Sequence, residues 1–390
     1  LCALNWSRAC AAVALLAAAS GGGQASEEDA KTATGIAAPD RPGPGPVEGA
    51  TPLSHAVFHD AVIHFTPDDP ELHDTAHIAH EDNGRVAVRT ITLPQWRSAM
   101  RATAYVTVSP IPDDELSVFD RWDRAGNVRL CPPDMAEIEI LRFVTAYGGE
   151  TDYEVDVSHL APLLAGDCTF RAFVDTWSSP GWLVDFEIRF DRGNRRPGGA
   201  GSAGTGSDGA DDADRDVGPP EHPAGPTDGT PVWCRGVFYH EGLTEENLRG
   251  GPFEVPVDVP GGADRLLLYY LSSGHCTDGR GADEFVTKDN VISLDGEIVF
   301  RFRPWRNDCR RFRSINPYTR RWSDGSWSSD YSRSGWCPGD AVDPLVLDLT
   351  DRLGEGRHTL TFGVDGARAA DEDGDFGYWR VSAYLVGWKE

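Results

Sequence analysis

Residues 169–190 read TFRAFVDTWSSPGWLVDFEIRF. Phe170, Ala172 and Val174 alternate with Arg171, Phe173, Asp175 and Trp177. After a Ser-Ser-Pro-Gly break, Val184, Phe186, Ile188 and Phe190 alternate with Asp185, Glu187 and Arg189. A two-residue period places each set on one face of an extended chain, so the stretch predicts two β-strands joined by a turn. Leu360, Phe362 and Val364 repeat the period. Val291–Leu294 and Ile298–Phe302 flank Asp295-Gly296, a dipeptide that tolerates the positive φ of a two-residue hairpin turn. Helical periodicity is confined to a single turn within 156–165. Short strands separated by turns, in a chain with 43 Gly and 27 Pro, predict an all-β, antiparallel protein of the sandwich or jelly-roll kind.

Composition bounds the function. The 390 residues carry 62 acidic and 36 basic side chains, a formal charge of −26, and only three lysines: Lys31, Lys288 and Lys389. A surface so acidic excludes a general nucleic-acid binder and disfavours an anionic membrane as partner. At the start, Arg8 precedes the apolar run Ala9–Ala19 and a small-residue stretch, which predicts a secretory signal over 1–26. A flexible leader is expected over 27–51. Residues 193–230 hold ten glycines, five prolines and seven acids, too little apolar surface to offset ordering entropy, and predict a disordered linker. Two domains, 52–192 and 231–390, follow. The expected protein is exported, secreted or periplasmic, soluble, acidic and monomeric.

Removing the signal leaves Cys131, Cys168, Cys234, Cys276, Cys309 and Cys337. An even set in an exported chain suggests disulfides, and the absence of C-x-x-C argues against a zinc ribbon or redox motif. Division between domains suggests Cys131–Cys168 in the first and four cysteines for the second, with buried thiols as the alternative. His55, His59, His64, His73, His77 and His80 crowd the first block without a repeated ligand motif, and are read as a solvated edge rather than a metal centre. DEDGDFG at 371–377 imitates a calcium loop but has Phe376 at its sixth position and Ser382 at its twelfth, so it reads as an acidic turn. No metal or cofactor is expected.

Three segments place acids among aromatic and arginine neighbours: FDRWDRAGN, with Asp120, Trp122, Asp123 and Arg124; VDTWSSPGW, with Asp175 and Trp177; and SSGHCTDGRGADEF, with His275 and Glu284. Indole faces stack on sugar rings, and carboxylates accept hydroxyl protons or act as general acids and bases once burial shifts their pKa. The plainer reading of an Asp–Arg neighbour pair is a surface ion pair of small worth.

At these segments the chain resembles the peptide-N-glycosidase F family. WDRAGNV (122–128), ILRFVTAYGG (140–149), EVDVSHLAPLLAGD (154–167), FVDTW (173–177) and VDFEIRF (184–190) follow the family's order. LLLYYLSSGH (266–275), SGWCPGDAV (334–342) and DFGYWRVSAYLV (375–386) do so in the second block. The resemblance implies two eight-stranded antiparallel jelly-roll sandwiches packed side by side, with the active site between them. It implies cofactor-independent hydrolysis of the asparagine–N-acetylglucosamine bond of N-linked glycans and glycopeptides. Carried over position by position, it implies catalytic roles for Asp123, Glu284 and Asp175. It implies substrate binding by Asp120, Arg124, Trp177, His275, Arg333 and Trp336, and a Cys309–Cys337 disulfide, with Cys234 and Cys276 as a further pair outside the family pattern. Several positions depart from the family: Asp175 replaces a glutamate, Ala282 and Val286 replace cysteines flanking the interface glutamate, and Phe285 replaces a tryptophan. Phe119 and its neighbours stand where the family has a small disulfide. Two other readings compete. One is a non-catalytic glycan- or protein-binding sandwich. The other is a copper-dependent monooxygenase on the same paired architecture, which needs histidine sites and a methionine ligand, whereas Met100 and Met135 lie in no histidine motif.

Overall fold

The computed structural model describes residues 53–95, 100–111, 119–192, 229–277 and 283–390. The expected signal, the leader, residues 193–228 of the expected linker, and Ala282 lie outside them. The first block forms β1 (Leu53–Ile63), β2 (Ala79–Glu81), β3 (Val86–Leu93), β4 (Met100–Pro110), β5 (Ala125–Leu130), β6 (Ile138–Val144), β7 (Thr151–Asp156), β8 (Gly166–Val174) and β9 (Trp182–Arg192). The second forms β10 (Thr230–Thr244), β11 (Phe253–Val259), β12 (Arg265–Cys276), β13 (Asn290–Leu294), β14 (Glu297–Phe302), β15 (Ala341–Val342), β16 (Leu345–Asp348), β17 (Gly356–Val364) and β18 (Gly377–Lys389).

All pairings among these strands are antiparallel. Sheets ordered β1-β9-β4-β7 and β15-β6-β5-β8-β3-β2 make the first sandwich; β10-β18-β12-β16 and β11-β17-β13-β14 make the second. The second therefore has two four-stranded sheets. The first has a six-stranded sheet whose outer strand β15 is lent by the second block. The Asp295-Gly296 turn forms as expected: φ is +50° and +87° at its two residues, and Leu294 pairs with Glu297. The only structure in 156–165 beyond strand is a 3-10 turn at Ser158–Leu163.

Burial shows where the two sandwiches meet. β5 and β6 are buried along their whole lengths, and β12 and β18 nearly so, because the β6-β5-β8 face lies against the β10-β18-β12 face. One apolar cluster runs from Phe143 and Phe170 of the first block into Leu267, Tyr269, Tyr384 and Val386 of the second. His159 is stacked on Tyr269 (4.6 Å) and hydrogen-bonded to Tyr384 (2.9 Å). At Gly236 the backbones come so close that a Cβ would lie 1.9 Å from the Ala136 carbonyl oxygen. Polar residues on this face are paired. Arg142 is bonded to Glu139 and donates to the Arg380 carbonyl (2.6 Å), and Asn127 donates to Glu139 (2.9 Å) and Tyr239 (3.1 Å). The second face of 169–177 is thus partly interior: Phe173 is buried beneath the Arg380 guanidinium, 4.8 Å from its ring.

Cys309 and Cys337 form a disulfide, and Cys131 and Cys168 do not. The reason is facial. Leu130 opposes Phe170, and the Cys131 amide donates to the Thr169 carbonyl, so Cys131 shares a face with Thr169. Cys168, one residue earlier, points to the opposite face, into the core, where its thiol donates to the Leu163 carbonyl (3.3 Å). Cys234 is a buried thiol and is not joined to Cys276, whose thiol meets Glu284 instead.

Candidate active site

Asp123 ends the loop that enters β5, and Thr145, just past β6, pins that loop. Its hydroxyl donates to the Trp122 carbonyl (2.9 Å) and accepts the Arg124 amide (2.8 Å). Glu284 lies between β12 and β13 beside Asp283, a fully buried residue at φ +60° that accepts the Arg368 amide and faces Lys288 at 3.5 Å. The two carboxylates belong to different sandwiches, and Arg333 joins them. Its Nε donates to Glu284 (3.2 Å) and its Nη2 lies 3.5 Å from Asp123. This guanidinium also donates to the Tyr331 carbonyl (2.9 Å), the Ser328 carbonyl (2.9 Å) and the Tyr147 hydroxyl (3.3 Å). Arg333 is 1% exposed with all three nitrogens engaged by protein atoms, so its work is to position the carboxylates.

Electrostatics follow from this burial. Glu284 is pushed up to about 7 by desolvation, against the pull of Arg333; Asp123 adds to the rise, and the Cys276 thiol at 3.4 Å opposes it. Burial also raises Asp123, while Arg333 and the Tyr147 hydroxyl work against the rise. Burial raises Tyr147 further from ionisation. Arg333 keeps its charge: burial opposes it, but Asp123, Tyr147 and Glu284 outweigh that loss and its pKa rises.

The other expected residues divide into supports and outlying groups. Asp120 is buried, accepting from Thr176 (2.6 Å) and pairing with Arg124 (2.9 Å), so it orients Arg124 from behind. Trp336 is buried under Arg333, its ring 4.7 Å from the guanidinium carbon, and donates to the Gly274 carbonyl. His275 stacks between Trp336 and Tyr378, bonded to Ser273, and burial together with Arg380, Arg142 and Arg333 lowers its pKa far enough to keep it neutral. Asp175 pairs with Arg85 (3.1 Å) and Arg380 (3.4 Å) rather than with Arg333. Trp177 is half-exposed with Arg85 over its ring at 4.7 Å. Trp122, next to Asp123, is 56% exposed and is the open aromatic surface at the cleft. Tyr147 had no signal in the sequence beyond its place in ILRFVTAYGG. The histidines split: His64 is buried between His73 and His80, and His59 gathers with Asp60 and Asp185 on the outer sheet. The 371–377 turn closes on itself, with Asp371 accepting the amides of Asp373 and Asp375 (each 3.0 Å).

A cleft between two jelly rolls, with one carboxylate from each held by a shared arginine, accompanies matches to two family models. Residues 55–140 and 132–190 match the description peptide-N-glycosidase F, N terminal, and residues 248–386 match peptide-N-glycosidase F, C terminal. The chain belongs to the peptide-N-glycosidase F family. Among curated proteins it is similar to the peptide-N(4)-(N-acetyl-beta-D-glucosaminyl)asparagine amidase F of Elizabethkingia miricola. They are 23% identical over 281 residues, covering 68% of this chain and 69% of that one. Among solved structures the family fold recurs in PNGF-II, with TM-score 0.69 and 22% identity over 87% of this chain. The chain spans 65% of the PNGF-II chain. It recurs also in recombinant peptide: N-glycanase F, with TM-score 0.61 and 18% identity, covering 87% of this chain and 96% of that one. At such identities the structural likeness speaks for the fold.

Proposed function

We propose that the chain is an exported amidase that hydrolyses the bond between an asparagine side-chain nitrogen and the first N-acetylglucosamine of N-linked glycopeptides and glycoproteins, leaving aspartate in the peptide. The observation that carries this reading is the meeting of Asp123 and Glu284 on one buried guanidinium, Arg333, in a member of this family. In amide hydrolysis a water oxygen adds to the carbonyl carbon and loses its proton. The C–N bond then breaks as the nitrogen gains a proton, giving a carboxylate and a glycosylamine. A carboxyl group poised near 7 suits both transfers: as a carboxylate, Glu284 takes the water's proton, and as an acid it returns one to the departing nitrogen. Asp123 holds the sugar–amide end by accepting its N–H and hydroxyl protons. Arg333 fixes the spacing between them. Arg124, with only its Nε committed to Asp120 among the described residues, is the cation available to the developing oxyanion or to sugar oxygens. Trp122 offers the flat face for the first sugar.

The test is incubation with a denatured N-glycoprotein, followed by mass analysis for Asn-to-Asp conversion and released glycan. Conversion by wild type and its loss in Asp123→Asn support the amidase. Glycans bound tightly but recovered intact across several core structures would favour the non-catalytic binding sandwich.

A further inference from the structure

An acidic chain concentrates eight of its arginines, against three aspartates, between positions 303 and 333, the connection from β14 to β15. This connection is anchored at both ends. The Cys309–Cys337 disulfide closes its base; the Tyr147 amide donates to Asn316 Oδ1 (2.8 Å), and the Tyr318 amide to the Tyr147 carbonyl (3.0 Å). Within it, residues 320–328 double back as a small hairpin. The Ser328 amide donates to the Arg320 carbonyl (2.9 Å), the Trp322 amide to the Ser326 carbonyl (2.9 Å), and Arg321 bridges Trp327. The foot of the hairpin rests on the site, because the Ser328 carbonyl accepts from Arg333 Nη2 at 2.9 Å. At about 3.3 Å per residue, four residues of strand carry its tip about 13 Å outward, within reach of a short oligosaccharide.

Of the eight, Arg303 pairs with Asp289 and Arg333 with Glu284, and the other six fall into two groups. Arg306, Arg311 and Arg313 face Asp308, Asp330 or Asp340. Arg310, Arg320 and Arg321 are exposed and form no ion pair among the described residues, and Arg310 stands near the foot of the hairpin, where, beside the Arg313 hydrogen bond, its charge helps to lower the pKa of Asp330. Two of them lie over indole rings: Arg320 is 4.1 Å from the Trp322 ring centre and Arg321 is 5.7 Å from that of Trp327. Trp322 is itself 39% exposed. Guanidinium forks match carboxylates in two-point geometry, and indole faces stack on sugar rings, so the pair of features recognises a sugar that carries a negative charge.

We propose that the 320–328 hairpin with Arg310 is a subsite for acidic antennae of the glycan, specifically sugar carboxylates such as those of sialylated N-glycans. The substrate class rests on the amidase reading, but the site can be tested without it. Free disialylated biantennary glycan and its desialylated counterpart, which contain no asparagine linkage, are titrated into the full chain at low salt. The wild type is expected to bind the sialylated glycan about tenfold more tightly, the scale of a few exposed charge-assisted contacts. The preference should shrink as salt rises. An Arg310→Gln/Arg320→Gln/Arg321→Gln variant should lose it while binding the neutral glycan as before. Equal affinity for the two glycans in wild type, or a preference that survives the triple substitution, overturns the proposal. So does a glutamate-rich peptide that binds through these arginines while the sialylated glycan does not. Failure of the amidase reading would appear separately, as intact glycopeptide in the hydrolysis assay.

Discussion

Glu284 is the residue on which the chemistry turns, and its raised carboxyl sets two pH effects of known sign. As a general base it must be ionised, so kcat/KM should rise with pH through an acid limb near 7. The Cys276 thiol stabilises the ionised form, so Cys276→Ala should move that limb to higher pH, as read from initial rates on a fluorescent glycopeptide. For stability, a carboxyl raised above its unfolded value contributes fully below the unfolded value of 4.5 and loses that contribution as pH climbs through about 7. The thermal midpoint of Glu284→Gln should therefore fall less between pH 5 and 8 than that of wild type, with pH values chosen only to bracket the transition. Asp123→Asn and Glu284→Gln should each lower kcat/KM by about 10²–10⁴-fold, the usual range for a positioned acid–base group. Both carboxylates and Arg333 were identifiable from short motifs because each stands beside aromatic or glycine residues in the family's order. Tyr147 was not: a tyrosine at the end of an apolar strand reads as core, and only the fold brings its hydroxyl to Asp123 and Arg333.

The connection from β14 to β15 shows how an element with little regular structure is held in place. Its disulfide joins residues 28 apart, and a loop of that length gives about 3–4 kcal/mol by chain-entropy reasoning. A Cys309→Ser/Cys337→Ser variant should lose that much in urea unfolding and should also lower activity, since Arg333 lies inside the closed loop. On the same side of the cleft, a Cβ at Gly377 would sit 2.0 Å from the Asp283 carboxylate that anchors the Glu284 segment. Gly377→Ala should therefore cut kcat more than its modest loss of stability accounts for. Strands and the Asp-Gly hairpin were legible because two-residue alternation and turn chemistry are local. The Cys131–Cys168 pairing failed because the face of a strand to which a cysteine points depends on register, which sequence spacing does not contain.

At the scale of the whole molecule, the interface between sandwiches is what makes a site from two half-sites. It holds a buried Glu139–Arg142 pair, and removing one partner of such a pair costs about 3–5 kcal/mol because the other charge stays desolvated. Arg142→Met should show a loss of that order in urea unfolding, and adding Glu139→Gln should recover part of it. This surface was hidden in the sequence: strand alternation carries no sign that a second sandwich covers Arg129, Glu139 and Arg142. Hydrolysis of an N-glycopeptide in ¹⁸O-labelled water decides whether water attacks the asparagine side-chain carbonyl at the Asp123–Arg333–Glu284 cleft. The expected product is a peptide with aspartate in place of asparagine and one heavy oxygen in the new carboxylate, formed by wild type and not by Asp123→Asn. A peptide that keeps asparagine with N-acetylglucosamine attached, or aspartate without label, would contradict it.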